Sequence, residues 1–204
     1  LRRLSFHLLS GFAQLVGRGG YGRVQRWGRR LGRAHFHLRT GLRRKLVHQM
    51  SELGRKTQNQ SLIQHSKDIL KQAFESNDQA ILEVLSLYAT RSALEPLLPP
   101  IEMQKISHLE QAIAYKRGVI LLGMHMGNGL AMAHKLQKQI GPIHIVYRES
   151  NKVSSGFFRD GIERLGLSSI DASGPDGGFR RMLKALRSEQ AVMILMDQAS
   201  KHSG

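Results

Sequence analysis

One histidine stands where an α/β protein usually does its chemistry. Val119-Ile120-Leu121-Leu122-Gly123 is an apolar run of strand length, and Met124-His125-Met126-Gly127-Asn128-Gly129 follows it as a turn of small residues. Leu130-Ala131-Met132-Ala133-His134-Lys135-Leu136 then has helical spacing. A strand that turns into a helix presents its carboxyl end to ligands. Gly127 and Gly129 let the backbone approach a ligand closely, and the start of the helix offers unpaired N–H groups to an anion. An imidazole at that place can act as a general base. The same residue also reads as an ordinary exposed loop histidine. His134, further along the helix, is expected at the surface.

Two more residues belong to the same question. Ile143-His144-Ile145-Val146-Tyr147 is a second strand, and Ala191 to Met196 is a fully apolar fourth. Between them lie a helix over Ser155 to Leu165, a short strand over Ser168 to Ala172, a Gly-Pro-Asp-Gly-Gly loop from Gly174, and a basic helix over Phe179 to Leu186. Strands alternating with helices predict an α/β sheet with a parallel core. Parallel strands gather their carboxyl ends along one edge. His125, Arg148 and Asp197 each follow a strand and are expected on that edge. Together they suit an anionic substrate and acid–base chemistry. Singly, Arg148 also reads as a solvated charge and Asp197 as a cap. His144 and Glu149 have the spacing of a His–carboxylate pair, but an extended strand separates them by about 16 Å. The chain has no Cys, which removes disulfides, thiolate nucleophiles and Cys-based metal sites from consideration.

The elements upstream are of another kind. The 204 residues carry a formal charge of +16, and the first 60 hold 14 Lys and Arg against one acid, Glu52. The remainder is nearly balanced, so the basic character belongs to the N-terminal arm. Leu1, Leu4, Leu8, Phe12, Leu15 and Val16 recur at helical spacing up to a break at Gly17-Arg18-Gly19-Gly20. Val24, Trp27, Leu31, Leu38, Leu42 and Leu46 form a second stripe with Arg between them. Basic amphipathic helices with Trp and Leu on one face suit an anionic membrane surface. They also suit packing on the protein's own core or, with less support from motifs, nucleic acid. No stretch of about 20 uncharged apolar residues is present, and no clear cleavable signal is expected. Residues 51–117 read as a helical connector: Ser61 to Leu70, Ile81 to Tyr88 and, after Pro96, Pro99 and Pro100, Ile101 to Tyr115. The expected organisation is therefore a membrane-associating segment over 1–50 and a second unit over 51–204, whose α/β portion spans 118–204.

Arg117-Gly118 through Gly129 resembles the first motif of the lysophospholipid-acyltransferase superfamily, in particular its branch of bacterial lipid A late (lauroyl/myristoyl) acyltransferases. That motif is a strand, a His, four residues and an Asp or Glu, commonly His-Phe-Gly-Asn-Trp-Glu. His125, Gly127 and Asn128 match it, and Leu130 stands where the carboxylate belongs. Tyr147-Arg148-Glu149-Ser150-Asn151 through Gly161 is similar to the second motif, with Glu149 in place of the usual Pro. Ala191 through Asp197-Gln198 looks like the strand ending in Pro-Asp-Gln or Pro-Asp-His, with Met196 in place of Pro. Relatives continue into a Pro-Phe-Phe-Gly-like motif. By resemblance the fold is α/β: a basic helical N-terminal region, then an acyltransferase-like sheet, incomplete at the C-terminus.

The resemblance implies acyl transfer from an acyl carrier protein thioester to a hydroxyl of a phosphorylated lipid A-type glycolipid, at the cytoplasmic face of the inner membrane. No metal and no other cofactor is implied. His125 would be the catalytic base. Gly127, Asn128, Arg148 and Asp197 would bind substrate, Arg148 holding a phosphate or sugar and the Gly127-Asn128 turn facing the oxyanion; Asp197, on the same edge as His125, is also the candidate to orient the imidazole, although the family has an Asp there in any case. Leu130 points to a weaker catalyst, or to an inactive or altered relative that binds membrane lipid. The reading from another class is a basic nucleic-acid-binding protein.

Overall fold

The computed structural model describes residues 2–90, 93–149 and 156–197, with side chains from Leu8 onward. Leu1, the side chain of Leu4, the residues Ser150, Asn151 and Ser155, and the chain from Gln198 to Gly204 lie outside the described residues. Four helices come first: α1 (Arg2–Gly17), α2 (Tyr21–Leu38), α3 (Thr40–Lys56) and α4 (Gln60–Ala89). A short 3-10 turn (Glu95–Leu97) and α5 (Ile106–Ala114) lead to β1 (Val119–Gly123). Then come α6 (Gly129–Ile140), β2 (Ile143–Tyr147), α7 (Phe157–Arg164), β3 (Ser168–Asp171), α8 (Phe179–Arg187) and β4 (Ala191–Leu195).

The sheet is parallel throughout, in the order β1-β4-β2-β3. The chain is α/β, as its alternating pattern predicts. β4 lies between β1 and β2, which explains why Ala191, Val192 and Met193 are all buried: strands in the middle of a covered parallel sheet read as continuous apolar runs.

The spine of the helical half is α4. Its 30 residues span about 45 Å. The Asn59 side chain caps it by accepting from the Leu62 N–H at 3.2 Å. The sequence shows two helical runs here, Ser61 to Leu70 and Ile81 to Tyr88; the structure joins them, because the polar stretch between them carries no helix breaker. α1, α2 and α3 all pack against this spine. One core runs through both halves: Ala13 and Val16 of α1, Val24 of α2, Leu82 and Leu85 of α4, Ile143 of β2 and Met193 of β4 belong to it. A smaller cluster of Phe36, Leu70 and Phe74 lies beneath Leu46, Val47 and Met50 of α3.

Three further expectations differ from the structure. The stripe from Val24 to Leu46 is broken at Arg39, so Leu31 and Leu46 pack inward while Leu38 is 80% exposed. The helix after the prolines begins at Ile106 rather than Ile101, after Lys105 in a left-handed conformation. Ile101 and Met103 instead pack against the core from a non-helical segment, and the Ile101 carbonyl accepts from the Lys135 ammonium. His134 is buried rather than at the surface, and its Nδ1–H donates to the Leu165 carbonyl at 2.6 Å.

Candidate active site

The pairing of β1 with β4 sets the level at which two side chains meet. Gly123 lies opposite Leu195. One further bond extends the ladder, from the Met196 N–H to the Gly123 carbonyl at 3.0 Å. A Pro at position 196 has no N–H and could not make it. His125 and Asp197 then each stand two residues beyond their strands, side by side. The His125 ring nitrogen Nδ1 is 2.7 Å from Asp197 Oδ1, and the His125 backbone N–H donates to Asp197 Oδ2 at 2.9 Å. Both carboxylate oxygens are thus engaged by one residue.

This geometry fixes the protonation pattern. The hydrogen bond from the His125 ring, reinforced by its backbone N–H, holds the Asp197 carboxyl below the usual carboxylate range. An ionised carboxylate only accepts, so Nδ1 carries a proton, and in the neutral imidazole Nε2 is then the nitrogen with the lone pair. That tautomer can take a proton from a hydroxyl. Asp197, expected among the substrate-binding residues and as a candidate to orient His125, contacts the imidazole itself. Leu130, where the resemblance expects a carboxylate, is half-buried and packs against the core.

The turn between His125 and α6 is held at both ends. Gly127 has φ 66°, a conformation that disfavours any residue with a Cβ, and nothing lies within 4 Å of where a Cβ would stand. Asn128 caps α6, its Oδ1 accepting from the Ala131 N–H at 3.0 Å. The other end of the same amide donates to Glu83 Oε2 of α4 at 3.1 Å. Glu83 is buried, and its second oxygen accepts from the Gln25 side chain of α2. Burial pushes the Glu83 carboxyl up, and the hydrogen bonds from Asn128 and Gln25 pull against that. Burial and then the Glu83 charge raise the Tyr21 hydroxyl nearby. Glu83, Tyr21 and Asn128 form the polar end of a cleft of about 330 Å³, whose other walls include Ile101, Met126 and Met132.

Arg148 follows β2 on the far side of β4. Ile145 lies opposite Met193, so Arg148 comes level with Met196, next to Asp197 along the carboxyl edge. It is exposed, and among the described residues no hydrogen bond or ion pair joins it to the His125–Asp197 pair. Its neighbour Glu149 donates a backbone N–H to Ser173 Oγ at 3.0 Å, which the Pro usual in the motif could not do. The edge therefore brings His125 and Asp197 into contact and sets Arg148 one strand away. Sequence reasoning missed Glu83 and Gln25. The available signal was a single acid inside the apolar run Ile81-Leu82-Glu83-Val84-Leu85.

No curated protein matches the chain in sequence. A family model does: that of the bacterial lipid A biosynthesis acyltransferases, over residues 12–204. That span takes in the helical half, the His125 turn, the Arg148 edge and Asp197, and the chain belongs to this family of lipid A biosynthesis acyltransferases.

Proposed function

We propose that the chain transfers a fatty acyl group from an acyl carrier protein thioester to a hydroxyl of a phosphorylated lipid A-type glycolipid. The observation that carries this is the 2.7 Å contact between His125 Nδ1 and Asp197 Oδ1 at the carboxyl edge of the sheet. His125 Nε2 takes the proton of the acceptor hydroxyl, and that oxygen attacks the thioester carbonyl. Asp197 stabilises the resulting imidazolium. The tetrahedral oxyanion lies at the Gly127-Asn128 turn, served by backbone N–H groups, since the Asn128 side-chain amide is engaged by Glu83. The intermediate collapses with loss of the carrier thiolate, which recovers the proton from His125 and leaves the ester. Arg148 binds a phosphate of the acceptor, for which its planar fork is suited.

In this reading the reaction runs at an anionic membrane surface, on the cytoplasmic face of the inner membrane, with the basic helices against the lipid. Among the described residues no helix is long and apolar enough to cross a membrane. Leu130 favours a second reading, a relative that binds the glycolipid without turning it over. The deciding assay is acyl transfer from a loaded carrier protein to a lipid A precursor in detergent–lipid micelles. Transfer that His125→Ala abolishes and Arg148→Ala slows through a higher acceptor KM supports the first reading. A folded wild-type chain that binds the precursor and transfers nothing establishes the second.

A further inference from the structure

Glu83 lies in the last two turns of α4, and it faces the turn that carries the proposed base. It is buried and ends a one-way series of hydrogen bonds. Gln79 Nε2 donates to Gln25 Oε1 at 2.6 Å, Gln25 Nε2 donates to Glu83 Oε1, and Asn128 Nδ2 donates to Glu83 Oε2. We propose that Glu83 is a positioning residue for His125: as a double acceptor it ties the His125–Asn128 turn to the N-terminal helices and fixes which way the Asn128 amide points. The inference rests on the reading of His125 as the base, and its test separates the two.

The argument runs through one amide. Asn128 must present oxygen to the Ala131 N–H, to cap α6, and nitrogen to Glu83. Turning the amide over would set an oxygen against a carboxylate and an NH₂ against an N–H. Glu83 therefore excludes that orientation, three residues from His125 and next to Gly127 in its left-handed conformation. Stability alone gives weak reason for a carboxylate there, because taking an ionised group out of water costs free energy that works against its hydrogen bonds. A place where both oxygens must accept does require one. Glu83 and Asn128 also share the cleft beside the turn, so a chain or headgroup entering it lies against the same two side chains. The N-terminal helices thereby become part of the catalytic arrangement through α2 and Gln25.

The test exchanges the polarity of the hydrogen bond. Asn128→Asp sets carboxylate against carboxylate, and Glu83→Gln sets a side-chain NH₂ against the donors of Asn128 or Gln25. The double variant Glu83→Gln/Asn128→Asp restores one donor and one acceptor across the same gap. The readouts are the ¹⁵N signals of the His125 ring, which report its tautomer, and acyl transfer. Each single variant should shift the ring signals and lower kcat at least about tenfold with little change in KM. The double should return the signals and come within about threefold of wild type. Singles that leave both readouts unchanged, or a double whose losses simply multiply, overturn the proposal. If the wild type transfers no acyl group, the reading of His125 as a base fails while the ring signals still decide the role of Glu83. If a single variant does not fold, a folded double with native ring signals supports the role, and an unfolded double overturns it.

Discussion

Asp197 accepts two hydrogen bonds from one residue, so it holds both the position of the His125 backbone and the direction of its ring. An amide in its place keeps the shape and loses the chemistry. With its NH₂ towards Nδ1, Asn turns the imidazole into the other tautomer and puts the proton on Nε2, where the lone pair is needed. Loss of the equivalent carboxylate in serine-protease triads costs about four orders of magnitude in kcat. Asp197→Asn is expected to lower acyl transfer by a similar factor, while thermal melting changes little because solvent screens a contact at the exposed edge of the sheet. A loss under tenfold in single-turnover transfer would show that another group orients the ring. Leu130→Glu should not raise the rate, since the Nδ1 side is already taken by Asp197. It should cost at least about 1 kcal/mol in denaturant melts, because a carboxylate replaces a side chain packed against the core. The sequence places Asp197 just past a strand. It does not show the contact with His125, because their strands are far apart in the chain and strand order is set by how the intervening helices pack.

At the scale of elements, α2 lies unusually close to α4, and two glycines make that approach. A Cβ on Gly28 would stand 2.6 Å from the Gln79 Cα, and one on Gly32 2.5 Å from the Glu75 Cα. Both obstacles are backbone, which cannot rotate aside. Gly28→Ala and Gly32→Ala should each destabilise by about 1–3 kcal/mol through overpacking. Gly22→Ala and Gly41→Ala, in helices with nothing within 4 Å of the added Cβ, should instead stabilise by up to about 1 kcal/mol through helix propensity. Urea melts of the four variants read the contrast directly, and four values of one sign would refute the close approach. Gln25 and Gln79 lie in this same interface, so the glycines also set the distance across which the Glu83 series is built. The sequence made the strands, their parallel sense and the break near Gly17 legible, since apolar runs and glycines act locally. Helical spacing from Ile101 was misleading because Ile101 and Met103 meet the core from an irregular segment, and periodicity records burial without recording backbone shape. The role of Gly28 and Gly32 is visible only once a second backbone is seen against them.

For the whole molecule, the basic helices are both part of the core and open to the outside. Val16, Val24 and Phe36 face inward, whereas Leu8 is 68% exposed and Leu15 61%. Leu8, Phe12 and Leu15 share a stripe of α1, and Phe12 meets Trp27 edge-on with ring centroids 5.7 Å apart. Arg30 lies over the same indole at 5.2 Å, and Arg26 is exposed beside it. An apolar ridge flanked by Arg is the arrangement that settles into a lipid headgroup layer: apolar side chains supply area, and each Lys or Arg near an anionic surface adds about 1 kcal/mol. Trp27 is the chain's single Trp, so its emission reports this face without a label. Vesicles containing anionic phospholipid should shift the emission to the blue, neutral vesicles should do so less, and raising salt from 0.05 to about 0.5 M should weaken the anionic case by screening. Leu8→Ser/Leu15→Ser should weaken binding at every salt concentration, since those side chains contribute area rather than charge. Binding that disappears in salt while ignoring both Leu substitutions would reduce the surface to a general cation patch. In that case duplex DNA should compete with the vesicles at equal charge, and the membrane surface proposed for these helices would be overturned.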